Sequence, residues 1–206
     1  RWLREHFKTG DRGITVVSFF DTSFVDSDES PTSYDDGIRA YQDMYDLLEK
    51  HNDIRLIIKP SKSEPFFLRG HWSSPEKGLR LIAIWEKLKK HPRVYWTGDS
   101  GDLPLIMAMS DIIITHCMSS PTVEALGAQK KAFWYESGLK HKGLIYDKIP
   151  GLVVHGAAAL EKRIRTLKRQ SKQDYVRYLK QNIRNNLEPY MDGKGILRFQ
   201  KLLAEG

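Results

Sequence analysis

Apolar positions fall into two patterns along this chain. Ile14 to Phe20 (ITVVSFF), Ile54 to Ile58, Val94 to Trp96, Ile112 to Ile114, Lys131 to Tyr135 (KAFWY) and Leu152 to Val154 are short runs rich in β-branched and aromatic residues. Runs this short and this continuously apolar predict strands buried on both faces, as in a parallel sheet. Between them the spacing is helical. Tyr34 to His51 places Ile38, Tyr41, Tyr45 and Leu48 on one face, and Pro75 to about Lys90 carries Leu79, Leu81, Ile82, Ile84, Trp85 and Leu88. Asp102 caps a helix reaching Met109, and Arg1 to Lys8 reads as the end of a helix. Ala157 to Lys168, Asp174 to Leu187 and Gly193 to Leu203 read as terminal helices. Strands alternating with helices predict an α/β fold: one Rossmann-like domain over residues 1–206, with a parallel sheet, helices on both faces, and residues 171–206 as a helical extension.

The stretch from Asp111 to Glu136 organises the rest. The strand Ile112-Ile113-Ile114 runs into a polar turn, Thr115-His116-Cys117-Met118-Ser119-Ser120. Pro121 suits a first helical position with Ser120 as its N-cap, the helix continues through Leu126, and Gly127 stops it. Such a turn aims backbone N–H groups and two hydroxyls at one point, at the positive end of a helix, which is a place for a phosphate. The plainer alternative is an ordinary strand-to-helix turn whose serines only cap. Ligands of open α/β sheets lie at the carboxyl ends of the strands. Those ends carry Ser18 to Ser23, Lys59, Gly98 to Asp102, His116 to Thr122 and Glu136 to Lys142. Cations, hydroxyls and one histidine suit a phosphate-bearing ligand better than an apolar one. Lys59 points toward the crevice or is an edge lysine in a solvated loop.

Other segments carry weaker signals. The loop from Asp21 to Ser33 is long, acidic and hydroxyl-rich, which favours a binding loop or a mobile one. It contains Asp26-Ser27-Asp28, a triplet that some sugar transferases use to hold a divalent metal. In an acidic loop that triplet also arises by chance, so no metal site is assigned. Ser61 to Ser74 is an irregular excursion with Phe66, Phe67, His71 and Trp72, read as an interaction surface or a folded-back flap.

Composition narrows the class. Of 206 residues, 40% are hydrophobic and 29% charged, which describes a globular protein with a real core. No apolar run reaches the roughly 20 residues that span a bilayer, and no signal-peptide pattern is read. The single cysteine, Cys117, excludes an intrachain disulfide and fits a reducing compartment. The net charge of +7 attracts nucleic acid, anionic membranes or phosphorylated substrates. Much of the excess sits in Lys162, Arg163, Arg165, Lys168, Arg169, Lys172, Arg177, Lys180 and Arg184. A solvated helix face is the first reading. No RNP-like motif, zinc-ligand spacing or basic zipper accompanies it, so nucleic acid is not expected as a partner. The dinucleotide fingerprint GxGxxG, the P-loop and the GxSxG elbow are all absent.

The run from Asp102 to Tyr135 (DLPLIMAMSDIIITHCMSSPTVEALGAQKKAFWY) resembles the donor half of GT-B glycosyltransferases. There a helix precedes an SD-plus-apolar strand, a His- or Ser-bearing turn, a helix with EAL-G, and a K-plus-apolar strand. The likeness extends over Ile14 to Lys168. It points to enzymes of bacterial surface-polysaccharide assembly: capsule and lipopolysaccharide sugar transferases, and CDP-glycerol glycerophosphotransferases. Ile57-Ile58-Lys59-Pro60 and Ser119-Ser120 resemble two features of the last group, although the histidine that follows its lysine is missing here. The resemblance implies that Ser119, Ser120 and Thr122 hold the donor phosphate, that Glu124 binds the donor ribose, and that His116 lines the donor site. Gly98 and Asp99, in the loop to Asp102, would flank the base. No catalytic residue is assigned, because the acceptor half usually supplies the base.

The implied function is transfer of a sugar, or a unit such as glycerol phosphate, from a nucleotide-activated donor to a surface polysaccharide or glycolipid. The nucleotide sugar is a substrate, and no cofactor is expected. Only one half of a GT-B fold fits in the chain, which starts at Arg1. It is therefore expected to be excised from a larger enzyme or to work with another chain, and to be inactive alone. Alternatives are a sugar-nucleotide epimerase of the UDP-GlcNAc 2-epimerase type, needing acidic residues in the cleft, and a non-catalytic scaffold domain. A cytoplasmic location is expected, with an anionic surface at the inner membrane face as a further partner.

Overall fold

The computed structural model describes residues 13–26, 32–62, 74–98, 101–138, 143–184, 186–187 and 194–205. The expected helix at Arg1 to Lys8, Ser27 and Asp28 of the acidic triplet, the aromatics Phe66, Phe67, His71 and Trp72, Asp99, and the basic residues Lys140 to Lys142 lie outside that set.

Six strands form one all-parallel sheet in the order β3-β2-β1-β4-β5-β6. They are β1 (Thr15–Phe20), β2 (Ile54–Lys59), β3 (Val94–Trp96), β4 (Ile112–His116), β5 (Lys131–Glu136) and β6 (Val153–His155). The helices are α1 (Tyr34–Lys50), α2 (Pro75–Lys90), α3 (Leu103–Met109), α4 (Ser120–Gly127), α5 (Ala157–Arg169), α6 (Lys172–Tyr178) and α7 (Gly195–Glu205). The strands form because their residues fill both faces: β1, β2, β4 and β5 are almost wholly buried.

Side-chain alternation sorts the two layers. Phe19 of β1 meets Tyr41 of α1 edge-on at 5.4 Å, and the Tyr135 hydroxyl of β5 donates to Asp43 of α1. His51, just past α1, pairs with Glu161 of α5 at 3.2 Å. Helices α1, α2 and α5 therefore cover that face. On the opposite face, Thr115 of β4 meets Thr122 of α4. Helix α1 begins with a capping box: Ser33 accepts the Asp36 N–H at 3.2 Å, and Asp36 accepts the Ser33 N–H at 3.0 Å. Such a box contributes about 1 kcal/mol. It fixes the start of α1 at the carboxyl edge of the sheet.

The local structure departs from expectation at three places. Strand β4 runs on through Thr115 and His116, whose pairing with Trp134 and Tyr135 keeps them in the ladder, so the polar turn starts only at Cys117. The expected helix from Asp174 to Leu187 is instead α6 followed by a wider turn over Leu179–Ile183, where the Arg184 N–H reaches the Leu179 carbonyl at 2.9 Å. Tyr175, Leu179 and Ile183, spaced four apart on one face, are all buried along it. A 3-10 turn at Ile145–Lys148, before β6, was not anticipated.

Candidate functional site

Strand order reverses between β1 and β4. From β1 the chain steps outward to β2 and β3, then crosses back to β4. The crevice outside the carboxyl ends at such a reversal is where open α/β sheets bind ligands.

On the β4 side the chain leaves the strand through a strained residue. Cys117 has φ of 60°, left-handed backbone that costs a non-glycine residue roughly 1–2 kcal/mol. Three bonds hold it there. The Cys117 N–H donates to the Tyr135 carbonyl at 3.0 Å and the Ser119 N–H to the Cys117 carbonyl at 2.9 Å. The Trp134 indole N–H donates to the Ser119 carbonyl at 2.9 Å. Strain of this kind concentrates where function needs a particular geometry. The turn then feeds α4 with Ser119 as N-cap, Ser120 as first helical residue and Pro121 after it. The cap is thus one residue earlier than the expected Ser120. Ser119 makes no side-chain cap bond, and its buried Oγ has no hydrogen-bond partner among the described residues. A buried hydroxyl beside first-turn amides that lack intrahelical acceptors is an arrangement that accepts a phosphate oxygen.

The other expected site residues divide. Ser120 and Glu124 are exposed on α4, within reach of a ligand at its start. Thr122 is not: its hydroxyl is fully buried, 2.5 Å from Thr115 Oγ1, and donates to the Phe133 carbonyl at 3.3 Å, so it pins α4 to the sheet. Ser18 is also fully buried, inside β1 opposite Ile57 and Ile113 rather than at the strand end. His116 is fully buried between Phe19, Phe24 and Tyr135. Its Nε2 lies 3.0 Å from Ser137 Oγ, which itself donates to the Asp36 carbonyl at 2.6 Å. Because the Ser137 proton is already committed, His116 Nε2 is the donor. The histidine thereby links the end of β4 to the start of α1. Gly98 has φ of 71°, as the exit from β3 requires.

The β1 side carries a residue that the sequence reading named only within the stretches Ser18 to Ser23 and Asp21 to Ser33. Asp21 follows β1 directly and is buried. It accepts the Tyr41 hydroxyl at 2.6 Å and the Ser61 N–H, tying the loop after β1 to the loop after β2. Lys59, half-buried at the end of β2, adds its charge nearby. Burial pushes the Asp21 carboxyl up to about 7, against the opposing pull of the Tyr41 and Ser61 hydrogen bonds and of Lys59. A buried carboxyl poised near neutrality in a ligand crevice is a functional candidate. The signal available in the sequence was its place: the first polar residue after Phe19-Phe20, at a strand's carboxyl end.

A second buried carboxylate, Glu136, ends β5 beside Cys117. Burial, and then the Glu136 charge, push the Cys117 thiol up to about 12, so it stays protonated at neutral pH. Asp26 of the acidic triplet accepts the Tyr34 N–H at 3.0 Å and pairs with Lys77 at 2.9 Å. Among the described residues, no three His, Cys, Asp or Glu side chains are placed to hold a metal ion, and no helix is long and apolar enough to cross a membrane.

The same fold is found in larger proteins of sugar-nucleotide chemistry. A UDP-forming α,α-trehalose-phosphate synthase from Burkholderia vietnamiensis superposes with a TM-score of 0.59 at 11% identity, over 99% of this chain and 46% of that one. A candidate UDP-N-acetylglucosamine 2-epimerase from Listeria monocytogenes gives 0.56 at 12% identity, over 100% and 49%. The S. aureus MnaA protein, solved with UDP, gives 0.54 at 13% identity, over 93% and 45%. At these identities the likeness is one of fold: this chain is similar to one half of two-domain GT-B proteins and spans slightly less than half their length. No curated protein matches it in sequence. One family model does, over residues 32–164, from just before α1 through the turn after β4 and into α5: the chain belongs to the polysaccharide biosynthesis PFTS motif protein family.

Proposed function

We propose that this chain is the donor-binding half of a glycosyltransferase. In this reading a nucleotide-activated sugar, or a related unit such as glycerol phosphate, binds at the crevice and is transferred to a bacterial surface polysaccharide, capsule or lipopolysaccharide among them, or to a glycolipid. The observation that carries the reading is the turn after β4. Its buried Ser119 hydroxyl, without a protein partner among the described residues, belongs to the N-cap of α4. The diphosphate would lie there, its charge offset by the helix N-terminus and by Lys59 across the crevice. Glu124, exposed one turn along α4, would meet the ribose. Gly98 and Asp99 would border the base. Family membership supports polysaccharide chemistry, and the UDP held by the S. aureus neighbour supports a nucleotide ligand.

In this proposal the nucleotide sugar is the substrate and no further cofactor takes part. The acceptor and the catalytic base come from a second domain, either upstream in the same protein or on another chain. The site of action is the cytoplasm. Contact with the inner membrane face is the lesser part of the reading. Of the nine late cations, Arg165 pairs with Glu161 at 2.6 Å, Arg177 with Asp174 at 3.1 Å and Lys168 with Asp53, while Arg163 stacks 5.2 Å above the Tyr178 ring.

Asp21 favours a second reading, epimerisation of a sugar nucleotide. That chemistry moves a proton at carbon, and a buried carboxyl near neutrality suits it. The two readings separate by product. The chain joined to its missing half is incubated with UDP-, CDP- and GDP-sugars, with and without polysaccharide acceptor. Acceptor-dependent release of nucleotide supports transfer; an altered nucleotide sugar without acceptor supports epimerisation. Nucleotide binding with no turnover of any donor would leave a scaffold and defeat both.

A further inference from the structure

We propose that a cavity at the amino edge of the sheet binds a phosphate monoester or a similarly compact dianion, at a site separate from the nucleotide turn. The cavity measures about 390 Å³ and opens to solvent. Its walls are the residues flanking the starts of β4 and β5, the end of α4, and Lys172 and Tyr175 of α6. It lies at the opposite end of the strands from the crevice, and α4, about 12 Å long, separates the two.

Charge is what defines it. Lys130 and Lys131 are neighbours in sequence, and each caps a different helix end. Lys130 Nζ donates to the Ala108 and Ser110 carbonyls at 3.0 and 3.1 Å, at the end of α3. Lys131 Nζ donates to the Leu167 and Gln170 carbonyls at 2.5 and 2.7 Å, at the end of α5. Two of three ammonium donors are used in each, and one remains. The carbonyls at the carboxyl ends of α3 and α5 fix the two cations in place, each helix end offsetting only about half a positive charge. Lys172 adds a third cation from the exposed start of α6.

Asp111 is the one acid in the lining, and its Oδ2 is turned to the backbone, accepting the Val16 N–H at 2.8 Å. Three cations against one carboxylate and two helix carboxyl ends leave about one net positive charge around one space. Burial lowers the Lys131 pKa, with Asp111 opposing, so an arriving anion would relieve a cost already present. Two of the three lysines are already immobilised, so little side-chain entropy is left to lose on binding. The lining is mixed, polar and apolar, and its volume fits a sugar phosphate or a phospholipid headgroup.

The test is an amide NMR titration of the whole chain with inorganic phosphate at constant ionic strength. Saturable shifts are expected at Gln129, Lys130, Lys131 and Lys172, with a dissociation constant independent of any change at Ser119 and Ser120. Lys172→Glu, an exposed substitution that leaves both helix caps intact, should weaken them by about tenfold, equivalent to ~1.4 kcal/mol. Glycerol 3-phosphate and vesicles of phosphatidylcholine with or without phosphatidic acid distinguish the sources. Saturation by glycerol 3-phosphate without vesicle binding assigns a free metabolite; co-sedimentation only with phosphatidic acid vesicles, lost in Lys172→Glu, assigns a headgroup. Absence of saturable shifts at these four amides, or identical affinity in Lys172→Glu, overturns the proposal.

Discussion

The Tyr41 hydroxyl donates to Asp21 Oδ2 across 2.6 Å, in a pair buried beneath the carboxyl edge of the sheet. Burial raises the Asp21 pKa from 3.8 to about 7 and lifts that of Tyr41 as well, where the Asp21 charge adds to burial. A carboxyl whose pKa is raised on folding binds more protons folded than unfolded between those two values. Its contribution is fully present below pH 3.8 and is lost as pH climbs through about 7. The loss is on the order of 4 kcal/mol by linkage. Asp21→Asn mimics the protonated acid and should remove this slope. Denaturant unfolding from pH 5 to pH 8 should show the variant gaining on the parent as pH rises. A constant difference across that range would mean Asp21 is already ionised in the folded protein.

Cys117 should be inert despite being the lone thiol. Its pKa near 12 means that alkylation by iodoacetamide at pH 7.5 occurs only through unfolding. The labelling rate should therefore track denaturant concentration. Rapid native-state labelling, at a rate close to that of free cysteine, would place a thiolate where burial and Glu136 oppose one.

Thr122→Val should cost about 1–2 kcal/mol, because it leaves Thr115 facing an apolar group inside the sheet. Nucleotide affinity should be unchanged at temperatures where the variant is folded. A selective loss of affinity at full stability would return Thr122 to the ligand site from which its burial removes it.

Gly138→Ala should destabilise by about 1–3 kcal/mol. A methyl group there would collide with the Asp36 carboxylate, which closes the cap of α1. Thermal unfolding measures it, and a neutral result would show that the Asp36 side chain can move aside freely.

The architecture was legible because β1, β2, β4 and β5 need apolar residues on both faces, and that composition is visible in ITVVSFF and KAFWY without any tertiary information. The site was only half legible. Ser119 and Lys59 lie beyond β4 and at the end of β2, where chain order alone puts them. Ser18, Thr122 and His116 were misjudged because hydroxyls and an imidazole look the same in sequence whether they face a ligand or a buried carbonyl or hydroxyl. Thr122 meets Thr115, and His116 meets Ser137, twenty-one positions away. Asp21 was named only within a stretch and not singled out, for the same reason in reverse. Its partners Tyr41 and Ser61 lie twenty and forty residues on, and only folding brings them together.

The central claim, that a nucleotide phosphate sits on the Ser119 hydroxyl and the start of α4, is tested most directly by thermal shift. The 206-residue chain is screened against CMP, CDP, UDP, GDP and their sugar conjugates. A ligand at about 100 times its dissociation constant should stabilise by roughly 2.7 kcal/mol. Ser119→Ala and Ser120→Ala should leave the unliganded stability within about 0.5 kcal/mol, since neither hydroxyl serves as a side-chain cap. Both should shrink the nucleotide shift. A nucleotide that stabilises parent and both variants equally, or no stabilisation by any of them, would contradict the account.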